Sequence, residues 1–228
     1  MALLFRSLCV ATLRRTAHLT ACATLAAFAS APAHAQGSPI KVGVALDVSG
    51  PFAGPGAEAR DGFALAIKQL GSKLGGQPAE FVQTDMAGSP DQAKQLVDRF
   101  VQREKIDLFT GPIASNVALA VAPTLFAAKV PYLSNNAGPS QLAGAQCNPY
   151  FFGTAYQNDQ FHEAAGQFAA DQKFGGMVLL APNYPAGKDS LTGFKRKFKG
   201  QVADEIYTKV GQIDYATELA QLRAAKPD

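Results

Sequence analysis

The chain has 228 residues, of which 47% are hydrophobic and 17% are charged, and its formal net charge is +3. Residues 1–35 hold three of the 21 Lys and Arg residues and none of the 18 Asp and Glu residues, so the remainder carries 18 charges of each sign. This balance gives no support to nucleic acid or an acidic membrane surface as a partner, and the length suffices for one large or two small domains.

The N-terminus has the layout of a secretory signal peptide. Arg6, Arg14 and Arg15 make a basic start, residues 19–28 form a short apolar run, and small residues flank a cleavage site after Ala35. The apolar run is about half as long as a membrane span requires. We therefore predict a signal peptide over residues 1–35 that is removed by cleavage after Ala35.

Two other export routes fit the leader less well. Residues 19–22 resemble a lipoprotein cleavage box that ends in Cys22, but Arg14, Arg15 and His18 occupy the place of its apolar core. The Arg pair also suggests twin-arginine export, but the residues around it match that signal poorly.

After the leader, short apolar runs alternate with segments of helical periodicity. The runs predict strands at 40–46, 79–83, 106–110, 130–134, 150–153, 176–180 and 202–210. Helices are predicted after an N-cap at Ser89 and over 57–70, 115–128, 159–171, 187–198 and 215–224. This alternation is typical of βαβ units, so we expect an α/β fold with parallel sheets.

The looser stretch 137–149 and the C-terminal end suggest how the chain is divided. We predict a first α/β lobe over 36–155 and a second, incomplete lobe over 156–228. The last predicted helix is followed by a linker that should feed another strand, yet the sequence ends at Asp228. We therefore expect that the sequence is truncated at its C-terminus.

The usual catalytic and metal-binding patterns are missing or broken. His162 and Glu163 begin a His-Glu-x-x-His pattern, but Gly166 stands where the second His is required. No Gly-x-Ser-x-Gly elbow, dinucleotide-binding Gly-x-Gly-x-x-Gly or phosphate-binding loop is present. We predict that the protein is not an enzyme and holds no metal or cofactor, and we interpret His162 as an exposed or capping residue.

Polar, Gly- and Pro-rich loops follow three of the predicted strands, at 49–54, 111–116 and 134–138. In an open α/β sheet these loops collect at one edge, which is where such folds bind ligands. Ser115 and Asn116 begin a helix, where free N–H groups and the helix dipole favour an anion. Each loop taken singly is also explained by capping and turn formation.

Several of these segments resemble the leucine/isoleucine/valine-binding protein family, the type I periplasmic solute-binding proteins of ABC importers. The resemblance is carried in order by residues 41–44, 49–51, 111–115, 134–138 and 184–187. It implies a type I periplasmic-binding-protein fold with two Rossmann-like lobes that close over a small carboxylate. It also implies a periplasmic location and a membrane permease as the partner.

The resemblance also implies roles for individual residues. Ser115 is similar to the position that takes the ligand carboxylate, and Asn136 and Gly138 fall where the family holds the carboxylate and the α-ammonium group. Tyr184 resembles the aromatic residue supplied by the second lobe, and Phe52 lies near the expected pocket wall.

One departure leaves the ligand open between two classes. Gly138 stands where amino-acid binders place a hydroxyl group, so an aromatic carboxylate is the alternative to a branched-chain or other amino acid. The family implies a disulfide partner for Cys147 beyond residue 228. A ligand-sensing ectodomain, an α/β enzyme and a fragment that does not fold are the remaining alternatives.

Overall fold

The computed structural model of the protein describes residues 37–227, and the predicted leader with its cleavage site lies outside them. From Pro39 onwards, the described residues form one compact unit. Among the described residues, no helix is long and apolar enough to cross a membrane.

Strands and helices alternate along the described chain, as the periodicity predicts. The strands are β1 (Ile40–Leu46), β2 (Lys73–Leu74), β3 (Gln77–Asp85), β4 (Leu108–Thr110), β5 (Tyr132–Ser134), β6 (Phe151–Gly153), β7 (Gly176–Pro182) and β8 (Gln201–Thr208). The α-helices are α1 (Ala53–Gln69), α2 (Pro90–Arg99), α3 (Ser115–Ala127), α4 (Ser140–Ala143), α5 (Gln160–Asp171), α6 (Pro185–Lys197) and α7 (Ala216–Ala225).

The first six strands form one sheet in the order β2-β3-β1-β4-β5-β6. All neighbouring pairs are parallel except the short antiparallel pair of β2 and β3. The chain therefore winds outwards from β1 in both directions, first to β3 and then to β4. The loops that leave β1 and β4 diverge at their carboxyl ends, which creates the crevice where open α/β sheets bind ligands.

Four aromatic rings organise the core beneath α2 and α3. The rings form a row in the order Phe100, Phe109, Tyr132 and Phe151. Successive ring centroids are 6.3, 5.2 and 5.1 Å apart, and each pair is in an edge-to-face arrangement. Edge-to-face contacts add to the stabilisation that the buried apolar area supplies. This row of rings packs the π-helix Phe100–Glu104, which continues α2, against β4, β5 and β6.

The opposite face of the sheet is covered by α1. Val42, Val44 and Leu46 of β1 are buried there and pack against Ala59 and Phe63 of the helix. Position 43 on the same strand belongs to the other face, so β1 is buried on both sides, as expected for a central parallel strand.

The second sheet consists of the parallel pair β7 and β8. Helices α5 and α6 pack against each other beside it, and Leu191, Phe194 and Phe198 are buried in the resulting core with Leu179 and Ala181 of β7. We refer to the six-stranded sheet with α1–α4 as the first lobe and to the two-stranded sheet with α5–α7 as the second lobe. The predicted boundary between residues 155 and 156 stays a prediction.

The sequence-based elements differ from the structure mainly at their ends. Residues 54–56, interpreted as a turn, lie in the first turn of α1, because the missing N–H of Pro55 has no partner to lose there. Strand β2 and helix α4 were not predicted, since two residues and one helical turn are too short to show a period. The predicted cap at Ser89 is confirmed, because its Oγ accepts the N–H of Gln92 at 3.4 Å.

We predict that Gly166→Ala destabilises the protein and that Gly62→Ala does not. A Cβ on Gly166 of α5 would collide with the carbonyl oxygen of Phe194 in α6, whereas a Cβ on Gly62 of α1 meets no atom within 4 Å. Overpacking of this kind costs about 1–3 kcal/mol, and Gly-to-Ala at an unstrained helical position gains about 0.4–1 kcal/mol. Urea unfolding followed by circular dichroism measures both, and equal effects would contradict the close packing of α5 on α6.

Candidate functional site

Asp47 joins three loops at the carboxyl edge of the first sheet. It follows β1 directly and its side chain is fully buried. One carboxylate oxygen, Oδ1, accepts the N–H of Gly88 at 2.8 Å. The other, Oδ2, accepts the N–H groups of Ile113 and Ala114 at 2.8 and 2.9 Å. A buried carboxylate is stabilised by such donors and by the N-terminal dipole of α3, so Asp47 fixes where that helix begins.

The α3 N-terminus, predicted to offer donors to a solute, is therefore partly occupied from within the chain. Asp47 takes the donors of Ile113 and Ala114. The first hydrogen bond inside the helix is donated by Ala118 to the carbonyl of Ala114. Within residues 37–227, the N–H groups of Ser115, Asn116 and Val117 have no acceptor. These three amides are what the helix start leaves for an anion.

The buried hydroxyl of Ser115 connects the first lobe to the second. Its Oγ accepts a hydrogen bond from Nδ2 of Asn158 at 3.1 Å, and the same amide group donates to Oδ2 of Asp189 at 3.0 Å. Asp189, on α6, also accepts the N–H of Ser140 at 3.0 Å and the hydroxyl of Ser140 at 2.6 Å. Neutral donors from α4 and from the segment before α5 thus hold a buried carboxylate of the second lobe.

A cleft of about 310 Å³ lies beside this network. Its walls come from the loop after β5, from the segment between β6 and α5, from the first turn of α5 and from the start of α6. The side chains with polar or aromatic groups at its surface include Asn136, Tyr156, Asn158, Phe161, His162 and Tyr184.

Aromatic rings stand on two sides of the cleft. Tyr184 packs on Phe52 with ring centroids 5.7 Å apart and planes inclined by 43°. Tyr156 and Phe161 form a second pair at 4.7 Å, and these two side chains are 65% and 58% exposed. Burial raises the pKa of the Tyr184 hydroxyl, so this group stays protonated and is able to donate a hydrogen bond.

The structure brings some of the sequence-predicted site residues together and separates others. Asn136 and Tyr184 both line the cleft, and Nδ2 of Asn136 donates to the carbonyl of Ile113 at 3.1 Å. Ser115 reaches the cleft through Asn158, and Phe52 contacts it through Tyr184.

Asn116 and Gly138 are not among the residues that line the cleft. Oδ1 of Asn116 is buried and has no hydrogen-bond partner among the described residues. Gly138 lines a different cavity of about 350 Å³, together with Leu142 and the exposed, free Cys147. A Cβ on Gly138 would collide with the carbonyl oxygen of Tyr156, so the close approach of these two chain segments requires glycine here.

Sequence reasoning missed the segment that supplies most of the cleft. Tyr156, Asn158, Phe161 and His162 follow β6 directly, and a polar and aromatic run after a strand of a parallel sheet was the available signal. His162, interpreted as exposed or capping, is half-buried and lines the cleft. Its Nδ1 lies 3.0 Å from the carbonyl oxygen of Asn158.

Asp47 was missed for a different reason, because an acid after a strand commonly begins an exposed loop. Across residues 37–227, no group of three or more His, Cys, Asp or Glu side chains is arranged to hold a metal ion.

A family model described as periplasmic binding protein matches residues 39–228. The chain belongs to this family. Membership confirms the resemblance to the leucine/isoleucine/valine-binding proteins, and the solved structures similar to this chain confirm the type I periplasmic-binding-protein fold. The family is periplasmic and provides the solute-binding components of ABC transporters.

The curated relatives include Leu/Ile/Val-binding protein homolog 6 of Brucella abortus, which is 27% identical over 87% of this chain and 52% of its own length. The chain thus spans about half the length of the curated relatives it matches.

Two solved structures are similar to the chain at higher identity. One is a solute-binding protein of an ABC transporter from R. palustris in complex with benzoate, at 31% identity over 84% of this chain and 54% of that chain, with a TM-score of 0.79. The other, from Rhodopseudomonas palustris BisB5, is in complex with 3,4-dihydroxybenzoic acid, at 30% identity over 83% and 53%, with a TM-score of 0.77.

We predict that Asp47→Asn lowers the free energy of unfolding by about 2–4 kcal/mol. The side-chain amide of Asn has only one acceptor oxygen, and its NH₂ group would replace the other carboxylate oxygen. At least one of the N–H groups of Gly88, Ile113 and Ala114 would then be buried without an acceptor. Asp61→Asn is the matched control, because the Asp61 side chain is 70% exposed and pairs only with exposed Arg60. Its effect should stay within about 0.5 kcal/mol in the same denaturant titration. A D47N protein as stable as D61N would refute the anchoring role of Asp47.

Proposed function

We propose that the protein captures a small carboxylate in the periplasm and delivers it to the permease of an ABC importer, and that the carboxylate is aromatic. The observation that carries the proposal is the cleft beside α3, in which the aromatic side chains of Tyr156, Phe161 and Tyr184 lie beside polar side chains. Export by a leader cleaved after Ala35 belongs to the same proposal. No chemical reaction is involved.

The aromatic pairs favour a planar, ring-containing solute. A cleft of about 310 Å³ is at the small end for ligand sites, so it suits a single ring with its substituents. Tyr184 offers one ring face or edge, and Tyr156 and Phe161 offer others. Offset and edge-to-face contacts with a ligand ring are then available from two directions.

The carboxylate of the solute would be bound at the start of α3, next to the cleft, by the N–H groups of Ser115, Asn116 and Val117, with the helix dipole behind them. From the second lobe, the protonated hydroxyl of Tyr184 is a further donor. Charge-assisted hydrogen bonds of this kind are about twice as strong as neutral ones.

An amino-acid ligand is the second candidate, because the curated relatives are named for leucine, isoleucine and valine. Its α-ammonium group would need a carboxylate or several acceptors. No Asp or Glu is among the described residues that line the cleft, and nearby Asp189 is engaged by Ser140 and Asn158. The neighbours solved with benzoate and 3,4-dihydroxybenzoic acid support the aromatic class instead.

We predict that benzoate-type acids raise the melting temperature of the exported, purified protein and that leucine, isoleucine and valine do not. A ligand at a hundred times its dissociation constant stabilises the folded state by about 2.7 kcal/mol. A thermal-shift panel with both ligand classes measures this. Stabilisation by the amino acids alone would reject the aromatic class, and no stabilisation by any carboxylate would reject the proposed function.

We also predict that Tyr184→Ala weakens binding of an aromatic acid by about tenfold or more, because the ring contact and the hydroxyl donor are both lost. Tyr207→Ala is the matched control, since Tyr207 lies on β8 and bonds Glu205 away from the cleft. Calorimetric titration of both variants gives the comparison. Equal weakening by the two substitutions would remove Tyr184 from the binding site.

A further inference from the structure

His162 is the one imidazole among the described residues, and it lies at the surface of the cleft in the first turn of α5. Its Nδ1 is 3.0 Å from the carbonyl oxygen of Asn158. A carbonyl oxygen only accepts hydrogen bonds, so Nδ1 carries a proton. In the neutral imidazole, Nε2 then bears a lone pair and accepts hydrogen bonds.

The carbonyl that orients His162 belongs to a residue held at several points. The side-chain amide of Asn158 donates to Ser115 and to Asp189, and its backbone N–H donates to the carbonyl of Gly138 at 2.8 Å. Asn158 is therefore fixed to α3, to α6 and to the loop after β5. The tautomer and the orientation of His162 follow from an anchored partner rather than from a mobile one.

Nothing in the described chain uses the other nitrogen of the ring. Nε2 of His162 has no hydrogen-bond partner within residues 37–227. The carboxylates close to it in sequence are engaged elsewhere, because Asp159 and Glu163 both pair with Arg196. Asp189 accepts from Ser140 and Asn158. The imidazole that lines the cleft thus keeps one oriented nitrogen that has no partner among the described residues.

We infer that Nε2 of His162 accepts a hydrogen bond from a hydroxyl group on the solute, so that the cleft selects hydroxylated aromatic acids over unsubstituted ones. The inference rests on the proposed function, since it assigns a second recognition group to the same cleft. The carboxylate end of the solute is bound at the start of α3, and His162 accepts a hydrogen bond from a hydroxyl substituent on the ring. A hydrogen bond that one ligand makes and another lacks discriminates by about tenfold.

The first test varies the ligand alone. Benzoate, 3-hydroxybenzoate, 4-hydroxybenzoate and 4-methoxybenzoate are titrated calorimetrically into the exported, purified protein. At least one hydroxybenzoate should bind about tenfold more tightly than benzoate. In the methoxy compound an oxygen atom is still attached to the ring, but it carries a methyl group and has no hydrogen to donate. This compound should therefore bind no more tightly than benzoate.

The second test varies the residue. His162→Asn keeps a nitrogen donor near the place of Nδ1, facing the Asn158 carbonyl, and removes the Nε2 position. His162→Gln extends a carboxamide to the Nε2 position instead. We expect His162→Asn to weaken binding of the preferred hydroxybenzoate about tenfold more than it weakens binding of benzoate, and His162→Gln to retain part of the preference. Melting temperatures without ligand identify any variant that fails to fold.

The outcomes separate this inference from the proposed function. Equal binding of benzoate and both hydroxybenzoates, or tight binding of the methoxy compound, overturns the role of His162 and leaves the proposed function standing. Equal weakening of all four acids by His162→Asn makes the residue structural and also overturns the inference. If none of the acids binds, the proposed function fails and the inference fails with it.

Discussion

The carboxylate of Asp47 is the interaction on which the rest of the structure depends. The strand order turns outwards from β1 on both sides, so the loops after β1, β3 and β4 diverge at the edge of the sheet. A buried, charged group requires hydrogen-bond donors, and Asp47 finds three of them in those loops. The same contacts set the start of α3. They are linked to the cleft by Asn136, which lines it and donates to the carbonyl of Ile113.

Hydrogen bonds between polar side chains connect the start of α3 to the second lobe. The start of α3 places Ser115, which meets Asn158, which meets Asp189 on the second lobe. Asp189 resembles Asp47 in being a buried carboxylate with neutral donors, and Ser140 supplies two of them. One carboxylate orders the loops of the first lobe, and the other ties the second lobe to it. The cleft lies where these two networks meet.

The sequence alone predicted the parts of this arrangement that depend on local pattern. The bounds of β1, the cap at Ser89 and the alternation of strands and helices follow from apolar periodicity and capping chemistry, and the structure confirms them. Asp47, Asn158 and His162 were missed, because whether a polar residue after a strand is buried depends on which distant loop covers it. Periodicity identifies the edge of the sheet that carries the loops, but it does not identify the side chains that fill them.

Gly138 shows how the loss of one side chain can change the chemistry of a pocket. The resemblance of the chain to the family suggested that Gly138 removes a hydroxyl group that would contact the α-ammonium group of an amino acid. In the structure, the absent Cβ is what allows the backbone of Tyr156 to lie against this position. That approach carries the segment from Tyr156 to His162 along the cleft, where it contributes two aromatic rings, an amide and an imidazole. A side chain at position 138 would displace this segment, so the glycine and the aromatic character of the cleft are two aspects of one packing arrangement.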